Sequence, residues 1–152
     1  MAEVVEKSLR HLTSEDIQSL VAYLRTIPGQ SDGPPSVRAG SPVLAEDTLG
    51  QRRFEQACSG CHLPDGNGRQ SPWASLSGSH STGDPASTNL LQVLTRGSSI
   101  ETKEGSMFMH AFTGAYTDEE VAALANYTSN QFGFRQGNVT PEQIRRLRTI
   151  GQ

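Results

Sequence analysis

Apolar residues recur at helical spacing in five stretches of the chain, each bracketed by residues that start or stop helices. Ile17, Leu20, Val21 and Leu24 follow Thr13 and Asp16, an N-cap and its partner three positions on, and Tyr23 extends the apolar face. Pro28-Gly29 ends this helix, while Met1 to Leu12 is less periodic and allows a short turn or helix ahead of the cap. Asp47 or Thr48 can cap a second helix through Gly50, Phe54 and Ala57, with Gly50 and Phe54 four apart on one face. A glycine inside a helix costs up to about 1 kcal/mol relative to alanine, so Gly50 is expected to mark a close helix crossing.

Thr88 is the expected cap of a third helix, which carries Leu90, Leu91 and Leu94 and stops at Gly97. Thr117-Asp118-Glu119-Glu120 has the form of a capping box ahead of Val121, Leu124 and Tyr127, predicting a helix to about Phe132. The fifth starts at Thr140, with Pro141 at its first position, Gln143 at N3, and Ile144 and Leu147 on its apolar side. Arg145, Arg146 and Arg148 make its other side basic, which reads as a solvated face or a docking patch for an acidic partner. Residues 63–88 are rich in Gly, Ser and Pro and follow neither period, predicting a wrapped loop anchored by Trp73 and Leu76; Ser98 to Phe112 is also expected to be irregular. The Ser, Gly and Pro tract between the first two helices reads as a linker.

Laying Leu12 to Val21 over Tyr116 to Ala125 aligns cap with cap and Leu20 with Leu124, and one turn further Tyr23 meets Tyr127. Generic amphipathic helices share caps and spacing, but the shared tyrosine favours a duplication. Residues 1–27 are then expected to be the closing helix of a preceding domain.

Both cysteines of the chain fall in Cys58-Ser59-Gly60-Cys61-His62, the spacing of covalent haem attachment. Two sulfurs around one helical turn reach the two vinyl groups of a haem, and the adjacent His62 imidazole supplies the proximal nitrogen. A second axial ligand has to come from elsewhere, and Met107 and Met109 both lie in the irregular stretch before a closing helix. Met109 is favoured, with Met107 the fallback and His110 a weaker candidate; methionine is also an ordinary core filler. A zinc site would need two more ligands, and His62, His80 and His110 make no recognisable zinc spacing. A thiol–disulfide enzyme would place its cysteines after a strand, whereas a helical pattern precedes these. A disulfide across so short a gap would stabilise little.

Composition agrees with a cofactor in the core. Hydrophobic residues make up 34% of the 152 positions, beside 15 Gly and 8 Pro, a lean and loop-rich chain for its length. The formal net charge of −3 provides no basic field for nucleic acid. No apolar run is long enough to span a bilayer, and the N-terminus lacks the features of a signal peptide. Because thioether attachment takes place outside the bacterial inner membrane, the expectation is a piece of a longer, exported protein.

Gly50, Phe54, the pentad Cys58 to His62, Met109 and Tyr127 together resemble the class I cytochromes c. Asp65-Gly66-x-Gly68, Thr88-Asn89-Leu90-Leu91-x-Val93-Leu94, Phe108-Met109-x-Ala111-Phe112 and Val139-Thr140-Pro141 are similar to the third haem domain of three-haem cytochrome subunits. Such subunits accompany bacterial membrane-bound alcohol and gluconate dehydrogenases. The resemblance implies an all-α cytochrome c fold, its short helices wrapped around one haem c bound through Cys58 and Cys61, with His62 and Met109 on the iron. It implies that Met1 ends the methionine loop of the preceding domain. The implied function is one-electron transfer from a dehydrogenase catalytic subunit to a quinone or terminal oxidase, on the periplasmic face, with membrane association through the rest of the complex. A haem sensor or catalytic cytochrome with an open iron position is the alternative.

Two departures from the family pattern are visible. His110 stands where proline commonly follows the methionine, and Arg69 to Ser81 keeps only part of the usual proline-rich loop. Ser71, Pro72, Trp73 and Leu76 are the candidates for covering the haem propionates. The expected organisation is a helix remnant at 1–27, a linker at 28–46, the cytochrome domain at 47–135 and a helical tail at 136–152.

Overall fold

A computed structural model describes residues 2–28, 48–69, 72–102 and 105–150. The expected linker and Met1, Asp47 and Ser71 lie outside these residues, apart from Pro28 at the linker's start. The chain divides into two compact units, Met1–Ser36 with Ser98–Phe108, and Val37–Gly97 with Met109–Gln152.

In the first unit, α1 (Ala2–Lys7) and a 3-10 turn (Leu9–His11) precede α2 (Ser14–Thr26). The Thr13 hydroxyl accepts from the Asp16 N–H at 3.2 Å, and the Asp16 carboxylate accepts from the Thr13 N–H at 3.0 Å, the reciprocal arrangement that the cap residues predict. The unit also holds β1 (Ser98–Thr102), on which α1 packs, and β2 (Gly105–Met109) up to Phe108, the two strands pairing as a two-stranded sheet. This corrects the expectation of an irregular stretch from Ser98 to Phe112. The strands pair although Met107, Phe108 and Met109 run as consecutive apolar residues and hide the alternation by which a strand is recognised.

The second unit is built on the crossing of α3 (Leu49–Ala57) with α7 (Asp118–Phe132). Thr48 caps α3, its hydroxyl accepting from the Gln51 N–H at 3.1 Å. Gly50 is buried where the helices meet, and a methyl group there would overlap the Ala123 carbonyl and the Tyr127 Cβ. One turn on, the Phe54 ring packs against Tyr127 and Phe132 at centroid distances of 5.4 and 5.1 Å. Leu90, Leu91 and Leu94 of α6 (Thr88–Arg96) and Val121, Leu124 and Ala125 of α7 complete the core.

Thr88 is not the cap of α6 but its first residue. Ser87 precedes it in the left-handed region at φ 54°, and Asp84 takes over the capping, accepting from the N–H groups of Ala86 and Thr88 at 3.0 Å each. Residues 63–88 contain a 3-10 turn at Pro72–Ala74 and a one-turn helix, α5 (His80–Gly83). Leu76 packs on the core as expected, but Trp73 is 69% exposed and is not an anchor. The backbone holds this segment instead: the N–H of Leu76 donates to the Gly66 carbonyl at 2.7 Å.

The last helix, α8 (Pro141–Ile150), docks through Asn126 of α7. The Asn126 amide accepts from the Val139 N–H at 2.8 Å and donates to its carbonyl at 2.9 Å, pairing with the chain as a second backbone would. Ile144 is fully buried behind it. The reading of α8's basic side as a plain solvated face fails at Arg148, which turns inward onto Asp118.

Candidate functional site

The end of α3 delivers the two cysteines. Cys58 closes that helix, its N–H donating to the Phe54 carbonyl at 2.8 Å, and is buried beside the Phe54 ring cluster. A single further turn, α4 (Ser59–His62), carries Cys61 and His62, with the His62 N–H donating to the Cys58 carbonyl at 2.9 Å. Leu63 at φ 62° stops this turn and reverses the chain. The returning strand of backbone then fastens to the site, the N–H of Gly68 donating to the His62 carbonyl and that of Arg69 to the Cys61 carbonyl, both at 2.9 Å.

That reversal brings the Ala74 carbonyl within 2.7 Å of His62 Nδ1. A carbonyl oxygen can only accept, so Nδ1 carries a hydrogen, and in the neutral imidazole the lone pair is then on Nε2. An imidazole oriented through its second nitrogen is the usual form of a metal-ligating histidine. The acceptor is a backbone carbonyl twelve positions downstream, and no residue type in the sequence announces it.

No disulfide joins the two cysteines, of which Cys58 is buried and Cys61 exposed. Burial, with a smaller contribution from neighbouring Cys61, pushes the Cys58 thiol up to about 11. Redox-active Cys-x-x-Cys sites shift the other way, toward a thiolate at neutral pH. The environment of Cys58 therefore argues against a thiol–disulfide enzyme.

Met109 ends β2, half-buried, and packs against the core cluster that contains Cys58, as Leu76 and Phe112 also do. Strand alternation leaves Met107 half-buried and turns Phe108 outward. Met107 belongs to the first unit and Met109 to the second. His110 is exposed, as are His80 at the start of α5 and His11 in the 3-10 turn. Among the described residues, no three His, Cys, Asp or Glu side chains converge as a metal site would require. A buried thiol and an exposed one around a single turn, an imidazole with its second nitrogen fixed, and a thioether on the same core form a donor set that fits a covalently attached haem.

The family described as cytochrome c oxidase, cbb3-type, subunit III matches residues 45–127, more than half of the chain. The chain belongs to this family. Cytochrome c domains of this kind carry a covalently bound haem c with its iron, and their work is electron transfer rather than catalysis. The helical architecture around the α3–α7 crossing is that of a cytochrome c domain.

Three relatives extend the likeness over nearly the whole chain. The fructose dehydrogenase cytochrome subunit of Gluconobacter japonicus is 29% identical over 100% of this chain and 36% of its own length. The gluconate 2-dehydrogenase cytochrome c subunit of Pantoea cypripedii is 26% identical over 97% of this chain and 36% of its own. The alcohol dehydrogenase (quinone) cytochrome c subunit of Gluconobacter oxydans (strain 621H) is 27% identical over 99% of this chain and 34% of its own. The chain thus spans about a third of the length of the curated relatives it matches. Among the described residues, no helix is long and apolar enough to cross a membrane.

Three contributors carry no site signature in the sequence: Ala74, Gly97 and Arg148. Gly97 alone left a local sign, as the glycine that stops α6. At φ 76° it lies so close to the next segment that a Cβ would stand 2.6 Å from the Met109 carbonyl oxygen.

Proposed function

We propose that Cys58 and Cys61 hold the haem through two thioether bonds, and that His62 Nε2 and the Met109 sulfur are its axial ligands. The observation that carries this reading is the 2.7 Å hydrogen bond between His62 Nδ1 and the Ala74 carbonyl, which leaves Nε2 as the available donor. Bound haem c supplies an iron that cycles between ferric and ferrous. The chain's own residues fix the ligand geometry: the α4 turn sets both sulfurs and the imidazole in one register, and Met109 reaches from the end of β2. Thioether sulfur favours the reduced iron and raises the potential, which suits a carrier. Met107 is the alternative ligand.

The chain relays single electrons from a dehydrogenase catalytic subunit to a quinone or terminal oxidase, on the periplasmic face of the inner membrane. The names of its relatives, all cytochrome subunits of dehydrogenases, support the dehydrogenase as partner. Residues 1–27 are the closing helix of a preceding cytochrome domain, 28–46 a linker, 47–135 the haem domain and 136–152 its tail. The matching capping boxes of Thr13 with Asp16 and Thr117 with Glu120 support that division.

A pyridine haemochrome spectrum of the protein expressed with export and haem maturation tests the attachment. A thioether-linked haem is expected, and Cys58→Ala or Cys61→Ala should leave at most a single linkage. Loss of the methionine-to-iron charge-transfer band in Met109→Ala but not in Met107→Ala is the expected ligand result. Carbon monoxide binding by the untreated ferrous protein, with no such band in the ferric form, would instead indicate an open-position sensor.

A further inference from the structure

The segment that follows Met109 is strapped to the end of α6. The N–H of Phe112 donates to the Leu94 carbonyl at 2.9 Å, and the Thr113 hydroxyl donates to the Thr95 carbonyl at 3.0 Å. Carbonyls in the last turn of a helix lack an intrahelical partner, so α6 offers the strap fixed acceptors. Gly97 allows the Met109 backbone to come against the helix end.

The other side of the strap is held from α8. All three guanidinium nitrogens of Arg148 are engaged: Nε on Asp118 Oδ1 at 2.6 Å, one terminal nitrogen on the Thr113 carbonyl, the other on the Tyr116 carbonyl at 2.6 Å. Tyr116 is fixed in turn by the Phe112 ring stacked on it at 5.8 Å and by the Arg53 guanidinium 5.3 Å from its ring centre. Arg53 is paired with Glu120 at the start of α7. Arg145 also pairs with Asp118, at 3.4 Å, but its described bonds reach no carbonyl of the strap. Arg148 lies on α8, beyond residues 45–127 matched by the family, while Thr113, Tyr116 and Asp118 lie within them.

We propose that Arg148 is a positioning residue for Met109: it clamps the Thr113 and Tyr116 carbonyls and so holds the thioether on the iron. The proposal rests on Met109 being the axial ligand. A sulfur–iron bond competes with exogenous ligands according to how often the strap swings away, and the brace lowers that population. Lysine cannot reproduce the clamp, because one ammonium cannot present the planar fork that spans Asp118 and two carbonyls.

The test is imidazole titration of the ferric, haem-loaded chain, read with the methionine-to-iron band. Arg148→Lys should bind imidazole about tenfold more tightly than the unmodified chain, the consequence of losing charge-assisted bonds to two carbonyls, and its band should weaken. Thr113→Val leaves α8 untouched and should shift affinity in the same direction by about threefold, for one lost hydroxyl bond. Arg145→Gln should leave both readouts unchanged. Amide exchange at Phe112 should quicken in Arg148→Lys while that at Leu124 does not, which separates release of the strap from general unfolding.

Met109→Ala separates the two readings. If it abolishes the band while Arg148→Lys and Thr113→Val bind imidazole as the unmodified chain does, the brace is refuted and the ligand stands. If it keeps the band, the ligand assignment fails and the proposal falls with it. An equal gain in Arg145→Gln and Arg148→Lys would also overturn it, by making the effect one of α8 docking rather than of the clamp.

Discussion

Helices α2 and α7 start alike and are buried differently. Each begins with a threonine whose hydroxyl accepts from the third residue on, and each receives a carboxylate back on the cap N–H. Leu20 and Tyr23 of α2 stand where Leu124 and Tyr127 stand in α7. Yet Leu20 is 43% and Tyr23 65% exposed, whereas Leu124 is fully buried and Tyr127 packs on Phe54. The difference is the crossing partner: α7 has α3, whose Gly50 admits the Ala123 backbone and whose Phe54 fills the next turn. An amphipathic pattern specifies a helix and a face, and leaves open what covers that face.

The largest expected effect is at the crossing itself. Phe54→Ala should cost about 4 kcal/mol, as large-to-small changes of buried aromatics do, measured by denaturant unfolding of the haem-loaded chain. Leu124→Ala should cost about 3 kcal/mol, and Leu20→Ala no more than about 0.5 kcal/mol. A similar loss at both leucines would break the comparison, since α2 would then have a covering partner of its own.

The caps should be equal where the faces are not. Thr13→Ala and Thr117→Ala remove equivalent hydroxyls, and each should weaken its own helix by about 1 kcal/mol, read as faster amide exchange in the first turn.

The smallest effects are those of pH. The Asp16 carboxyl is held below its ordinary value first by the Thr13 hydroxyl and then by the Thr13 N–H. That of Glu120 is held down first by the Thr117 N–H and then by Arg53. A carboxyl lowered in the folded state adds stability above the ordinary carboxylate range and loses it as pH falls through the lowered value. Both contributions should therefore vanish on acidification. In an NMR titration Thr13→Ala should move Asp16 upward, since it removes the first of the two causes, while the backbone N–H still holds it below its ordinary value. Thr117→Ala should move Glu120 little, because alanine keeps the backbone donor and Arg53 remains in place. Equal upward movement of both carboxyls would contradict the assigned causes.

Much of the second unit was legible in advance, for reasons that are local. Gly50 announced the crossing because a glycine inside a helix needs a reason, and the reason is the Ala123 carbonyl against it. The capping boxes at Thr13, Thr117 and Thr140 were readable because each is a contact within four residues. What escaped reading was non-local or masked. Three consecutive apolar residues concealed the β1–β2 hairpin, and Trp73 looks like an anchor until its exposure is known. The inward turn of Arg148 depends on Asp118 and Tyr116, thirty or so positions away in the chain.

The sequence by itself determined the five longer amphipathic helices, the threonine caps of all but α6, and the spacing that sets Cys58, Cys61 and His62 around one turn, because all of these are relations among near neighbours. Only the tertiary structure decided which nitrogen of His62 is free, through the Ala74 carbonyl, and that the Met109 strap is tied to the ends of α6 and α8. Those outcomes depend on distant backbone atoms brought within hydrogen-bonding distance, and backbone atoms carry no residue code.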